Sequence, residues 1–429
     1  MNDIYFGTFG AESYWRNPLE ANLPQPGMVV DHGAASMDEV LLPLCGTQDF
    51  LCTRCHIPEV VQTYHDSVGL VCRRQTCMPP EGDGTVCSLL LGSANRAWIT
   101  AAVHEGYRLR PYAILPQTVA LQREFDPIRC LPDVSTVQRV NSKIWSHRLR
   151  ERLGYALGKV ADSAENFGAL GLELIQEGPF IVKQPHGVSG SGSLVIETEG
   201  RLQRVTQHLL LQEQNGFVVQ LVLEPYLEKL FDFSAQLEVE QGGEGRLICL
   251  HGMTNRATVH SSSHPLNKEQ ETIVEKFGYE GFAREVAAAL WADGYFGPAG
   301  IDAMVLPGGR VVPMLEVNAR ITLGLVNHRL DEKMRGMGLR SFLTHIRVRD
   351  GRLNTSDILN RLRREKLLFH PNGCLDGVLP LTANPSRNSG RLFVSVPYFE
   401  MREIANRLDR ATSVINQANE GAAELRQLL

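Results

Sequence analysis

Residues 315–324 read LEVNARITLG, in which Glu316, Asn318 and Arg320 alternate with Val317 and Ala319. Successive side chains on a strand point to opposite faces, so this spacing predicts one strand face carrying an acid, an amide and a guanidinium. Such groups are rarely buried without partners. A metal ion bound to a polyphosphate would satisfy all three. Upstream, Asp302 lies in GIDAMV, and Pro307-Gly308-Gly309 supplies turn residues between the two apolar segments. A hairpin would therefore set Asp302 beside Glu316 and Asn318. Hard oxygen ligands of this kind suit Mg²⁺, with Mn²⁺ as the alternative ion, and Glu316 could bridge two ions about 3.5–4 Å apart.

Three further segments have the chemistry of a nucleotide site. In VKQPHGVSGSGS, Lys183 ends an apolar run and is followed by Gly187, Gly190 and Gly192, interleaved with Ser189, Ser191 and Ser193. Glycines let backbone N–H groups approach phosphate oxygens, and lysine supplies a mobile positive charge. The lysine precedes the glycines, so this is no Walker loop; its bland reading is a flexible hairpin tip. In LVLEPYLEKLFDF an apolar strand ends at Glu224 and Pro225. Backbone leaving a sheet there could pair with an adenine edge, and Glu228 or Asp232 could accept from ribose hydroxyls. Most such connectors bind nothing. Lys143, in VNSKIW, would read as a surface lysine but for its place about forty residues before Lys183.

Composition narrows the classes. A chain of 429 residues predicts two to four domains or subdomains. With 43 basic and 48 acidic residues the net charge is −5, which argues against nucleic acid as a partner. No apolar run reaches the ~18 residues of a membrane span, and the first residues lack the order of a secretory signal, so a cytoplasmic protein is expected. Nine cysteines crowd toward the N-terminus. Cys52 and Cys55, with Cys72 and Cys77, raise a zinc site, but ordinary reduced thiols are the favoured reading. His251, His260, His264 and His328 fall near the candidate site, and each reads more readily as a core or surface histidine.

The pattern is α/β throughout. GMVVDHG, VLLPLC, TVCSLLLG and YAILPQTVAL read as strands, ANRAWITAAVHEG as a helix, and STVQRVNSKIWSHRLRERLG as one helix capped at Ser135 or Thr136. FDFSAQLEVE and GRLICLHGMTN read as a hairpin around QGGEG, followed by a helix over NKEQETIVEKFGYEGFAREVAAALWADG.

In order and spacing, Lys143, Lys183 with its glycine loop, the Glu224 connector, Asp302 and the Glu316–Asn318–Arg320 strand resemble the ATP-grasp superfamily of carboxylate–amine ligases, the amino-acid and peptide ligases most closely. The resemblance covers about 130–330. It implies an α/β (α+β) architecture: a pre-ATP-grasp domain over 1–130, an N-lobe with a glycine flap over 131–227, a C-lobe over 228–330, and an extension over 331–429. It implies that Lys143 and Lys183 hold the phosphates of ATP, and that the flap from His186 closes over them. Backbone at Glu224, Pro225, Tyr226 and Leu227 would meet adenine, and Glu228 or Asp232 the ribose. Asp302, Glu316 and Asn318 would bind Mg²⁺. Arg320 and Lys183 would act in catalysis. Some relatives place an arginine just before the metal-binding aspartate; Gly300-Ile301 stands there instead, and Arg256 is the nearest substitute. The implied reaction joins a small-molecule or carrier-bound acid to an amine through an acylphosphate; separately, a homodimer is a possible assembly, as a common outcome for proteins that assemble. The rival readings are an ATP-grasp-type kinase and a nucleotide-binding scaffold.

Overall fold

The computed structural model describes residues 2–24, 32–77, 85–187, 192–256, 259–385 and 390–417, with backbone alone at 32–36, 255–256 and 259–261. Among these residues the strands form three sheets. The first holds β1 (Asp3–Phe6), β2 (Phe50–Thr53), β3 (Arg73–Thr76) and β4 (Arg108–Pro111), all parallel, in the order β3-β2-β1-β4. Parallel strands need crossovers, and the helices Glu59–Ser67 and Ser93–His104 lie in these connections. The second sheet is antiparallel, with β5 (Lys159–Ala161), β6 (Phe180–Lys183), β7 (Ser193–Ile196) and β8 (Leu221–Pro225) in the order β5-β8-β6-β7. The helices Ala164–Glu177 and Glu199–Gln214 share its core around Phe167, Phe180, Leu202 and Leu223.

The third sheet has eight strands: β9 (Phe231–Val239), β10 (Gly245–Arg256), β11 (Val259–Pro265), β12 (Gly297–Val305), β13 (Val311–Asn318), β14 (Arg340–Arg347), β15 (Leu379–Pro380) and β16 (Arg391–Tyr398). Its order is β13-β12-β9-β10-β11-β14-β16-β15. Residues after 330, read from sequence as an extension, thus add three strands to the sheet that carries Asp302 and Glu316. Alternation along β9 explains its two faces. Phe233, Ala235, Leu237 and Val239 enter the main core, whereas Asp232, Ser234 and Gln236 occupy the other side. The apolar face packs on the helix Tyr279–Ala292, whose buried Tyr279, Phe282, Ala283, Val286, Ala287 and Leu290 recur at helical spacing.

Several elements differ from the sequence expectation. GMVVDHG lies largely outside the described residues. VLLPLC belongs to the 3₁₀ segment His32–Leu44, which contains Pro43, a residue with no N–H to give a strand ladder. TVCSLLLG forms the helix Val86–Leu91, begun where the Thr85 side chain accepts from the N–H of Ser88. YAILPQTVAL runs into the helix Pro116–Phe125, with proline at its first position. The helix expected from Ser135 is two helices, Val134–Val140 and Lys143–Arg152, broken at Asn141 and restarted by the cap Ser142; Asp133 precedes the first. The helical stretch after Asn267 likewise divides into Lys268–Lys276 and Tyr279–Ala292 at Gly278, whose φ is 75°. The hairpins β6–β7, β9–β10 and β12–β13 form where the sequence places them.

Candidate nucleotide and metal site

The β12–β13 hairpin turns through Pro307–Gly309, where Gly308 and Gly309 both have φ of +81°, a conformation glycine adopts without strain. The resulting register sets Asp302 opposite Glu316 and Gly300 opposite Asn318. The row continues across the sheet, because Asp302 also lies opposite Ser234 on β9, and Ser234 opposite His251 on β10. Cross-strand partners share a face, so one polar row runs Glu316, Asp302, Ser234, His251.

Arg320 departs from the strand reading. β13 ends at Asn318 because the next N–H groups leave the ladder: that of Ala319 donates to Asn141 Oδ1 at 2.9 Å, and that of Ile321 to the Tyr112 carbonyl at 3.0 Å. The guanidinium of Arg320 is fixed beyond the strand end. It donates to Glu12 Oε1 from Nε at 2.9 Å, to the Tyr112 hydroxyl at 2.9 Å and to Asn318 Oδ1 at 3.1 Å. It also lies 5.3 Å from the centre of the Tyr112 ring. Asn318 Nδ2 in turn donates to Asp302 Oδ2 at 3.1 Å.

The helix Lys143–Arg152 joins this hairpin to the second sheet. Lys143, His147 and Arg150, spaced four and three apart, share one helix face. Lys143 Nζ lies 2.6 Å from Glu316 Oε2 and 3.5 Å from the Gly187 carbonyl, and its own N–H donates to the Pro185 carbonyl at 2.9 Å. The helix start is thereby tied to the base of the glycine loop. Arg150 is fully buried, with bonds to the carbonyls of Met314 (3.0 Å) and Leu157 (2.5 Å) and to Glu224 Oε1 (2.6 Å). Lys183 reaches the other oxygen of Glu224 at 2.5 Å. The Glu224 carboxylate is therefore a buried counter-ion, so at this position only the backbone could serve the adenine contact expected from sequence.

Electrostatics follow from these pairs. Burial pushes Glu316 up, but Lys143, then Lys183 and Arg320, outweigh it and hold its carboxyl below the ordinary value. Glu224 is likewise held low against burial by Lys183 and Arg150. Asp302 has no cation so close, and burial together with the charge of Glu316 raises it to about 7. Two adjacent half-buried carboxylates, one of them short of positive charge, form a donor set that a divalent cation fits, and Asn318 would join them by turning its Oδ1 away from Arg320.

The remaining sequence candidates are dispersed around this centre. His186 is buried, its Nε2 lies 3.0 Å from the Gln138 carbonyl, and its Nδ1 lies 3.5 Å from Glu20. Gly192 has φ of +82°, and a Cβ there would stand 2.8 Å from Gln184 Oε1. Ser189, Gly190 and Ser191 lie outside the described residues, as do the side chains of Arg256 and His260. Tyr226 is exposed and its N–H donates to the Pro179 carbonyl, so its backbone donor is already used. Pro225 closes β8 opposite Phe180. Leu227 packs with Leu157 and Leu315 against a small apolar cluster of Met304, Leu306 and Val312. Glu228 is exposed. Asp232 is buried, ion-paired with Lys229 and opposite Met304 in the sheet. Among the described residues the early cysteines do not converge on a metal-holding group; Cys45 approaches Cys72, and Cys52 approaches Cys77.

Sequence reading missed Arg150, Glu12, Tyr112 and the apolar slot around Met304. Only Arg150 left a signal, its helical spacing from Lys143.

The fold is the one seen in solved ATP-grasp enzymes, the superfamily that the sequence motifs resemble. Among solved structures, a biotin carboxylase from Campylobacter jejuni in complex with an ATP analogue aligns with a TM-score of 0.52 at 12% identity, covering 89% of this chain and 92% of that one. An N5-carboxyaminoimidazole synthase from Aspergillus clavatus, in complex with ADP and its ribonucleotide, aligns with a TM-score of 0.51 at 11% identity, over 84% and 96%. No family model matches the chain. Among curated proteins, the [butirosin acyl-carrier protein]–L-glutamate ligase of Niallia circulans is 24% identical over 225 residues, 51% of this chain and 52% of that one. The chain thus spans about half the length of the curated relative it matches. Among the described residues, no helix is long and apolar enough to cross a membrane.

Proposed function

We propose that the chain is an ADP-forming carboxylate–amine ligase that makes an amide or peptide bond through an acylphosphate. One observation carries this reading: Asp302, Glu316 and Asn318, Lys143 and Lys183, and Arg320 come from four separate segments and meet in one electrostatically connected centre. In this reading residues 131–227 and 228–330 are the two lobes, and ATP lies between them. Its adenine rests against Leu227, Leu157 and Met304, and its ribose lies toward Asp232. Asp302, Glu316 and Asn318 would hold Mg²⁺, as two ions or with Mn²⁺ in its place, and the metal would supply neutralisation of the phosphate oxygens.

Lys143 and Lys183 exchange their carboxylate partners for phosphate oxygens as the nucleotide enters, so positive charge is already in position. Arg320, clamped by Glu12 and Tyr112, directs the acid toward the γ-phosphate. A carboxylate oxygen attacks that phosphorus and ADP leaves. The amine then attacks the acyl carbon, and phosphate leaves with the C–O bond electrons and takes up the proton that the nitrogen loses. The segment from His186 to Gly192 keeps water from the acylphosphate. The likeness to a carrier-protein–glutamate ligase favours an amino acid as one substrate and a carrier-bound acyl group as the other.

The test is a pairwise screen of acids and amines, carrier-bound acids included, with ADP release and mass spectrometry of the condensed product. An amide formed by the wild type and reduced at least 100-fold in Glu316→Gln and Lys183→Ala is the expected result. A stable phosphorylated product with no amide assigns a kinase instead. Failure to release ADP across the whole panel overturns the ligase reading.

A further inference from the structure

The polar row that begins at Glu316 ends in a cluster the ligase chemistry does not use. Cys249 and His251 are two apart on β10 and so share a face, and His328 reaches them from the helix Leu323–Arg335. Their ligand atoms all lie within 4.8 Å of one another. The two histidine rings meet edge to face, with centres 5.8 Å apart.

The hydrogen bonds around the rings decide which nitrogens are available. Asn327 has two amide protons, and its Nδ2 lies 2.9 Å from the Ser263 carbonyl and 3.1 Å from the Ser341 carbonyl. Those two acceptors use both protons, although His251 Nδ1 is also within 3.3 Å. Nδ1 of His251 is the nitrogen turned to its neighbours, 3.5 Å from Ser263 Oγ, which leaves Nε2 to meet a ligand. For His328 the order is reversed. Nε2 lies 3.6 Å from Glu332 Oε1, whereas Nδ1 is buried and has no hydrogen-bond partner, in a residue only 9% exposed. A carboxylate behind one imidazole nitrogen and an orphaned second nitrogen is the arrangement of a metal-ligating histidine. The nearby cations are already matched: Arg329 pairs with Glu332 at 2.7 Å, and Arg335 and Arg340 pair with Asp331 at 2.9 and 3.0 Å.

We propose that Cys249 Sγ, His251 Nε2 and His328 Nδ1 bind a borderline-soft divalent cation, Zn²⁺ by preference, with Glu332 orienting His328. One thiolate and two imidazoles match zinc better than magnesium. Three protein ligands leave a fourth position for water or a substrate thiol or amine. Metal–ligand bonds of about 2.0–2.3 Å require the three side chains to close by about 1 Å from their present separation. Glu332, beside His328, is half-exposed. The site is separate from the magnesium-type oxygen ligands and stands independently of the ligase reading.

The test uses the full chain, stripped with a chelator and titrated with Zn²⁺ against a chromophoric competitor in excess Mg²⁺. One equivalent should bind tightly, with affinity reduced at least tenfold in Cys249→Ser and in His328→Asn and unchanged in Glu316→Gln. Co²⁺ added to wild type should give a thiolate-to-metal charge-transfer band that is absent from Cys249→Ser, a readout that needs no nucleotide. Absence of that band in wild type, or zinc affinity indifferent to both Cys249→Ser and His328→Asn, overturns the proposal.

Discussion

Arg320 owes its position to contacts made far along the chain. Glu12 is 308 residues away and Tyr112 is 208 away, yet both fix the guanidinium. If Arg320 directs the acid, its clamp matters as much as its charge. Glu12→Ala removes the acceptor for Nε and is expected to lower the turnover number by about 10- to 100-fold, because a displaced positioning group forfeits effective concentration. Tyr112→Phe keeps the ring against the guanidinium and is expected to cost less than tenfold. Measuring ADP release over a substrate range separates the two; equal losses would mean that the hydroxyl sets the geometry as much as Glu12 does. These distances also explain what the sequence could disclose. Asp302, Glu316 and Asn318 were legible because one short hairpin brings them together. Arg150 was half-legible through its spacing from Lys143. Glu12 and Tyr112 were not legible, since nothing local marks a residue whose partner lies hundreds of positions away.

Among the elements, the helix Lys143–Arg152 does the most to assemble the site. It pairs Lys143 with β13 and Arg150 with β8, and it covers the free edge of β13, where Ser146 Oγ accepts from the N–H of Val317 at 3.0 Å. An edge strand needs such cover, or its backbone groups lose their partners. Ser146→Ala leaves the Val317 N–H buried and unpaired, so a loss of about 1–3 kcal/mol is expected in denaturant unfolding. Ser142→Ala removes the cap on the same helix and should cost about 1 kcal/mol. A Ser146→Ala protein as stable as wild type would show that the helix does not hold this edge. The hairpins β9–β10 and β12–β13 were legible because eight or more residues of alternation leave little doubt about period. The strands of the first sheet were not. Each has four residues, and RRQT of β3 shows no apolar alternation at all. The apolar runs that did attract a strand reading, VLLPLC and TVCSLLLG, are buried 3₁₀ and helical turns, and short buried runs do not reveal their period.

For the molecule as a whole, titration should report how the first sheet's unit meets the end of the chain. Glu39 is fully enclosed there, accepting from the N–H of Ala383 and, at 3.3 Å, from Asn384 Nδ2. Burial pushes its carboxyl from 4.5 up to about 8. His65 is enclosed at the same junction, 3.0 Å from the Pro380 carbonyl, and burial lowers it from 6.5 to about 4. The signs are opposite. A raised acid binds its proton more tightly when folded, so its contribution is complete below pH 4.5 and is lost as pH rises toward 8. A lowered histidine contributes fully above pH 6.5 and loses that contribution as pH falls toward 4. Between 4.5 and 6.5 the two offset each other; from 6.5 to about 8 the histidine is silent and Glu39 acts without it. Across that upper window wild type should lose about 2 kcal/mol more than Glu39→Gln, at about 1.4 kcal/mol per pH unit. The measurement is unfolding of both proteins at a series of pH values. Parallel curves from pH 6.5 to 8 would mean that Glu39 is not held protonated.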